Sequence, residues 1–397
     1  MLRFLPVRTA AGQLLAVPAA WVLLEWWRGW FLSGFPWLSL GYSQTDTWLA
    51  GLAPLGGVHL LSAALLVCAG ALVVLLRAAP PLKLVAAVLL VLPWTLGAGL
   101  RGIEWTRPSG VPVSVAILQG AVSQDLKWLE SNRQAILDDY AKLHRQALGA
   151  RLIVWPESAL PDLANSLPRY LSGVWSSARG AGSDVLLGVM RFDPDTDLYY
   201  NALLALAGDE PAFYDKQHLV PFGEYFPVPS FVRDWLRLMS LPYSDFEPGG
   251  TRQPPLRVAG LSVAPSICYE DAYPEELLPS IRAADLLVNV TNDAWFGRSG
   301  ARYQHLQIAR MRALESRRFL LRAANDGVSA VIGPRGEIVA RAPEYEPAVL
   351  RATVEGRPGQ TPYVRTGNAP ALVGAVLVLA TVVFRRRRRQ AHAAGAP

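Results

Sequence analysis

From Gly51 to Leu76 the chain carries no charged side chain, and its one histidine there is His59. A bilayer core takes about 20 mostly apolar residues per helix. Only helices and closed barrels can pair every backbone group inside lipid, so this run is read as a transmembrane helix. Leu84–Leu100 and Thr366–Phe384 are likewise free of charge. Gly12–Leu32 is a fourth apolar stretch, interrupted by Glu25 and Arg28. Its Trp21, Trp26, Trp27 and Trp30 suit a membrane interface and argue against a cleaved signal peptide. All four stretches are expected to span.

The charges give the orientation. Arg385 to Arg389 follow the last run, Arg3 and Arg8 precede the first, and Arg77 and Lys83 lie between the second and third. Positive flanks stay in the cytoplasm, and all three clusters agree if the N-terminus is inside. The expected organisation is a membrane region over residues 1–104 with about three spans, an outer domain over 105–365, a final span over 366–384 and a basic cytoplasmic tail over 385–397. In a bacterium the outer side is the periplasm. These anchors account for much of the net charge of +6, which therefore calls for no nucleic-acid partner. The two cysteines are Cys68, inside a span, and Cys268, so a structural disulfide is not expected.

The outer region alternates strand and helix signals. Val113–Leu118, Leu152–Trp155, Val185–Met190, Leu261–Ile267 and Leu286–Val290 read as buried strands. Asn132–Leu148 has apolar residues at helical spacing, and Tyr303–Ser316 reads as a second helix. Val328–Ala340 reads as a hairpin around Pro334-Arg335-Gly336. Together they predict a layered α/β domain. His59, His144, His218 and His305 are scattered and show no metal-ligand spacing.

Three places join a strand end to a reactive group. Glu157 follows a strand and a Trp-Pro pair in "LIVWPESALPD". Lys216 and Glu224 lie in "YDKQHLVPFGEYFP". Cys268 ends the strand in "APSICYEDAYPE". Groups beyond the carboxyl ends of strands share one crevice in α/β sheets. Each alone has a plainer reading: an inert core thiol, a helix cap and a solvated lysine. Their combination is what points to chemistry, since a thiol needs a base to become a nucleophile and a cation to favour the thiolate.

"VWPES", "YDKQHLVPFGEYFP", "SICYED" and "VNVTNDAWFG" resemble the motifs of the nitrilase superfamily, with its Glu-Lys-Cys triad. "FLSGFPWLSLGYSQ", "LAPLGGV", "LQGAVSQDLKW", "QHLQIARMRALESRR" and "TPYVRTGN" narrow the resemblance to the bacterial apolipoprotein N-acyltransferase family, from about Pro18 to the final span. The resemblance implies an αββα sandwich set between transmembrane helices and facing the periplasm. It implies Glu157 as base, Lys216 as oxyanion partner and Cys268 as nucleophile. Glu224, Tyr269, Glu270, Trp128 and Asn292 fall on supporting positions. It implies a glycerophospholipid acyl donor, a diacylglyceryl-cysteine lipoprotein acceptor and a ping-pong reaction through a thioester, with no metal or organic cofactor. Family members carry more spans ahead of the catalytic domain, about eight in total against the four read here.

The segment from Pro221 to Gly250 is rich in large apolar residues, among them Phe231, Trp235 and Leu238. Two readings stand: a loop and helix packed on the core, or a lid that meets the bilayer surface and admits acyl chains. For the whole chain, the rival readings are a membrane-anchored amidase acting on a small amide and an inactive scaffold for partner binding.

Overall fold

The structure is a computed structural model that describes residues 9–10, 12–228 and 246–394, with side chains to 388. Phe231, Trp235 and Leu238 of the apolar segment lie outside the described residues. The chain divides into two compact units. One comprises the residues up to Trp105, Leu314–Arg317 and the segment from Gln360 onward; the other comprises Thr106–Ala313 and Arg318–Gly359.

The larger unit is built on two six-stranded sheets. The first holds β1 (Pro112–Gln119), β2 (Leu152–Val154), β3 (Asp184–Asp193), β4 (Leu198–Leu206), β5 (Ala212–Asp215) and β12 (Ala348–Glu355). The second holds β6 (Leu256–Val258), β7 (Leu261–Ile267), β8 (Leu286–Thr291), β9 (Leu320–Ala324), β10 (Ala330–Ile332) and β11 (Ile338–Arg341). Their orders are β12-β1-β2-β3-β4-β5 and β11-β10-β9-β8-β7-β6. The centre of each sheet is parallel: β1, β2 and β3 in one, β7, β8 and β9 in the other. Parallel neighbours need crossovers, and the helices Glu130–Ala147, Pro168–Gly180, Pro274–Arg282 and Ala301–Ser316 supply them.

The strand period of two sorts the side chains. On β1, Val113, Val115 and Ile117 join Leu261, Val263, Ile267, Val288 and Val290 of the second sheet in one core. Ala116 and Leu118 point the other way, into a core with Ile136, Leu137, Tyr140 and Leu143 of the Glu130–Ala147 helix. Each fully buried aliphatic side chain contributes roughly 1.5–3 kcal/mol, so the two cores fix which face each strand presents. The sheets thereby stack face to face with helices outside, the αββα order. Because β4 is antiparallel to β3 and β5 antiparallel to β4, β5 runs in the same sense as β2. Their carboxyl ends therefore lie along one edge of the sheet.

In the smaller unit, Trp48–Arg77, Pro80–Leu100 and Ala369–Arg388 are long and apolar enough to cross a membrane. The Gly12–Leu32 stretch, expected as a fourth span, is not among them. It forms a π-helical turn, Gly12–Ala16, and a helix that ends at Arg28. Beyond Gly29 the chain reverses, with positive φ at Leu32, Ser33 and Gly34. Glu25 is buried there and accepts hydrogen bonds from Trp21 Nε1 (2.9 Å) and the Leu40 amide (2.8 Å). The last helix starts at Ala369 rather than Thr366, because Gly367 at φ +59° ends the short Pro362–Thr366 turn. The Ala53–Arg77 helix is kinked at Gly56 and Gly57. At Gly57, with φ +62°, a Cβ would come within 2.4 Å of the Tyr363 ring, so the kink requires glycine. The Val58 amide at this kink donates to buried Glu315 Oε1 at 2.9 Å.

Candidate active site

Glu157 is set by the exit of β2. The Trp155 amide continues the ladder to the Leu186 carbonyl (2.8 Å), and the Ala159 amide returns to the Gly188 carbonyl (3.0 Å). A side chain at Gly188 would come within 2.3 Å of the Pro156 carbonyl, so glycine there lets the Trp-Pro-Glu turn lie against β3. The Trp155 indole is buried and stacked on Tyr140, with centroids 5.1 Å apart. Glu157 is then only 6% exposed.

Lys216 follows β5 directly. Its amide donates to the Asn201 carbonyl (2.8 Å) and its carbonyl accepts from the Gly249 amide (2.7 Å). Its side chain is buried, and Nζ lies 2.8 Å from Glu224 Oε1 and 3.3 Å from Glu157 Oε1. Burial alone would push this ammonium down, but the charges of Glu224 and Glu157 outweigh it and hold Lys216 above its ordinary value. Asn201, on β4, donates from Nδ2 to both carboxylates at 2.8 Å. The second oxygens are also occupied. Glu157 Oε2 accepts from the Asn292 amide (2.9 Å) and Glu224 Oε2 from the Val220 amide (2.8 Å). The carboxylates are held where they are rather than left to choose.

Cys268 opens a tight turn after β7 with φ +53°, a left-handed conformation unusual for a residue with a Cβ. The thiol stays partly exposed. Burial pushes its pKa well up, the Glu157 charge adds to that, and Lys216 opposes it. The thiol thus senses both the Glu157 carboxylate and the Lys216 ammonium.

The supporting residues divide. Glu270 braces the site: its Oε1 accepts from the amides of Gln217 (2.6 Å) and His218 (3.2 Å), and its Oε2 from the Ile267 amide (2.6 Å). One carboxylate thus ties the Lys216 loop to the residue before the thiol. Tyr214 also donates its hydroxyl to Glu270 at 3.1 Å. Burial lifts Glu270 to about 7 despite these backbone donors. Asn292 orients Glu157 and reaches Gln124 Oε1 through Nδ2 at 2.8 Å. Tyr269 is buried and packs edge-on to Tyr273 at 5.0 Å. Trp128 is exposed, and its ring faces Lys127 Nζ at 5.4 Å from the centroid.

Several residues here escaped the sequence reading. Asn201 and Asn325 are short polar residues inside or after strands, and Asn325 Nδ2 donates to Asn292 Oδ1 at 3.0 Å. Lys127 is 1% exposed and its Nζ has no hydrogen-bond partner. Burial lowers it to about 8, with the Glu157 charge opposing. Its signal was its place inside the motif "LQGAVSQDLKW". Among the described residues no group of three or more His, Cys, Asp or Glu could hold a metal ion.

The carbon-nitrogen hydrolase family profile matches residues 114–363, and the profile of the apolipoprotein N-acyltransferase N-terminal domain matches residues 1–71. The apolipoprotein N-acyltransferase of Chromobacterium violaceum is 44% identical, covering 96% of this chain and 75% of its own length. That of Azotobacter vinelandii is 46% identical, with the same coverage of each. Among solved structures, the C. elegans NitFhit protein aligns with a TM-score of 0.46 and 20% identity, over 64% of this chain and 62% of that one. With relatives this similar over nearly its whole length, the chain belongs to the apolipoprotein N-acyltransferase family.

Proposed function

We propose that this acyltransferase works in two halves through Cys268, from a glycerophospholipid to the N-terminal amine of a diacylglyceryl-cysteine lipoprotein. The observation that carries the reading is the buried Glu157–Lys216–Glu224 cluster at the edge where the Cys268 turn emerges. In the first half, Glu157 takes the thiol proton as Sγ attacks the ester carbonyl. The carbonyl electron pair moves onto oxygen, where Lys216 and the Tyr269 amide are the donors. Collapse expels the glycerol oxygen, which recovers the proton from Glu157, and lysophospholipid leaves. In the second half, the uncharged amine adds to the thioester and gives its proton to Glu157. Expulsion of sulfur forms the amide, and the thiolate regains its proton.

The resting thiol is disfavoured as a thiolate, so proton transfer and attack belong to one step. Water is the competitor, and the enclosure of Glu157 and Lys216 serves transfer over hydrolysis. The membrane location follows from the family and the apolar helices. The finer reading is a bacterial inner membrane with the catalytic unit on the periplasmic side, as the arginine clusters suggest.

The test is product analysis with phosphatidylethanolamine and a synthetic diacylglyceryl-cysteine peptide. The expected products are triacylated peptide and lysophospholipid in equal amounts. Release of ammonia from small amides, with no phospholipid consumed, would replace this reading with an amidase.

A further inference from the structure

The left-handed turn at Cys268 is strained for a non-glycine residue and persists only where its neighbours over-determine it. Its carbonyl is gripped from β8 and from the Ala301–Ser316 helix. The Cys268 oxygen accepts from Asn289 Nδ2 and from His305 Nε2, each at 3.2 Å. His305 Nε2 also lies 3.1 Å from Asp271 Oδ1, and Nδ1 lies 2.8 Å from Asp293 Oδ1. A carbonyl and two carboxylates only accept, so both ring nitrogens must donate and the ring is an imidazolium. Arg322 faces the second oxygen of each aspartate, at 2.8 Å from Asp293 and 3.6 Å from Asp271. All four side chains are at most 1% exposed. Two positive and two negative groups thus meet in the interior, from the turn after β7, the end of β8, β9 and the Ala301–Ser316 helix. Buried Arg312 also reaches the cluster, donating from Nη1 to the Asp271 carbonyl at 3.2 Å, and the uncharged Asn289, Thr291 and Phe296 stand beside it.

The carbonyl held by this cluster shares its peptide unit with the Tyr269 N–H. That peptide is trans and planar, so its oxygen and its hydrogen point in opposite directions. Fixing the oxygen on the buried cluster fixes where the N–H points. A cation bonded to the oxygen also polarises the amide and makes its N–H a stronger donor.

We infer that His305 is a positioning residue for the acyl transfer: through the Cys268 carbonyl, its imidazolium aims and strengthens the Tyr269 N–H as a donor to the tetrahedral oxyanion. The inference rests on the functional reading above. Burial and Arg322 push the His305 proton off, and Asp271 and Asp293 more than offset them, holding the group at about 9.

Two reactions of Cys268 separate this role from a structural one. Ester acylation builds an oxyanion. Alkylation by iodoacetamide does not: the S–C bond forms as C–I breaks, iodide leaves with the electron pair, and the thiol proton passes to the base. His305→Gln should acylate ~10²-fold more slowly or worse, the scale of a lost oxyanion donor, with alkylation unchanged. Equal loss in both reactions, or loss in neither, would overturn the inference. Should the variant not fold, the wild type carries the same test. Its ratio of acylation to alkylation should fall as pH rises through about 9, and a flat ratio would overturn the role. Absence of any acyl adduct on wild-type Cys268 would instead refute the functional reading, and this inference with it.

Discussion

Replacing Lys216 by Met removes the cation between two carboxylates and adds no bulk. Nζ sits 2.8 Å from Glu224 and 3.3 Å from Glu157. Without it, both carboxylates converge on the single amide of Asn201. Breaking a buried ion pair by removing one partner costs roughly 3–5 kcal/mol. At ~2–4 °C per kcal/mol for a domain of this size, the melting temperature should fall by ~6–20 °C. Acidification should restore part of it, because a proton on either carboxylate ends the repulsion. The double variant Lys216→Met/Glu224→Gln should recover most of the loss, short of ~1 kcal/mol for a mismatched hydrogen bond. Neither variant should acylate, since stability and charge balance return without the oxyanion partner. Scanning calorimetry and intact-protein mass on the same preparations read both quantities. A single variant as stable as the wild type, or a double variant as unstable as the single, would show that the cluster is not held by charge.

Glu270→Gln leaves one of three backbone amides facing an NH₂ group, which should cost ~1–3 kcal/mol and slow acylation by loosening the Lys216 loop from Cys268; an unchanged acylation rate would make the brace irrelevant. Lys127→Met should raise the melting temperature at pH 7, because the native ammonium is lowered to about 8 by burial and its desolvation, worth up to ~3 kcal/mol, is relieved. That gain should shrink as pH rises from about 8 toward the unfolded value, and a fall in stability at pH 7 would contradict it. His305 titrates higher in the folded chain than unfolded, at about 9 against 6.5. Its contribution is full below 6.5 and is lost as pH rises through about 9, so melting curves should drop across that window and should not in His305→Gln.

The strands carrying the thiol and the base were legible because helices and a second sheet cover both their faces. Such strands read as unbroken apolar runs, and β7 matches its expected bounds, Leu261–Ile267. Strands that mix polar groups into the interior were not read. Asn201 sits in the middle of β4 and Arg322 in the middle of β9, each hydrogen-bonded to residues far away in sequence. β12 has a part-exposed burial pattern and an arginine, Arg351, and it finds its partner β1 more than 200 residues upstream. Glu157, Lys216 and Cys268 were visible as three strand ends. Asn201, shared by Glu157 and Glu224, was not, nor was the charge on His305. In sequence His305 is one scattered histidine, and its ionised state follows only from the oxygens that folding brings to both ring nitrogens.

The central claim is that an acyl chain rests on Cys268 between two substrates. Intact-protein mass spectrometry after incubation with phosphatidylethanolamine alone tests it, followed by peptide mapping and hydroxylamine treatment. The account predicts a single added acyl mass on Cys268, released by hydroxylamine and absent from Glu157→Gln. An adduct on Cys68, or steady turnover by a protein that never carries one, would contradict it.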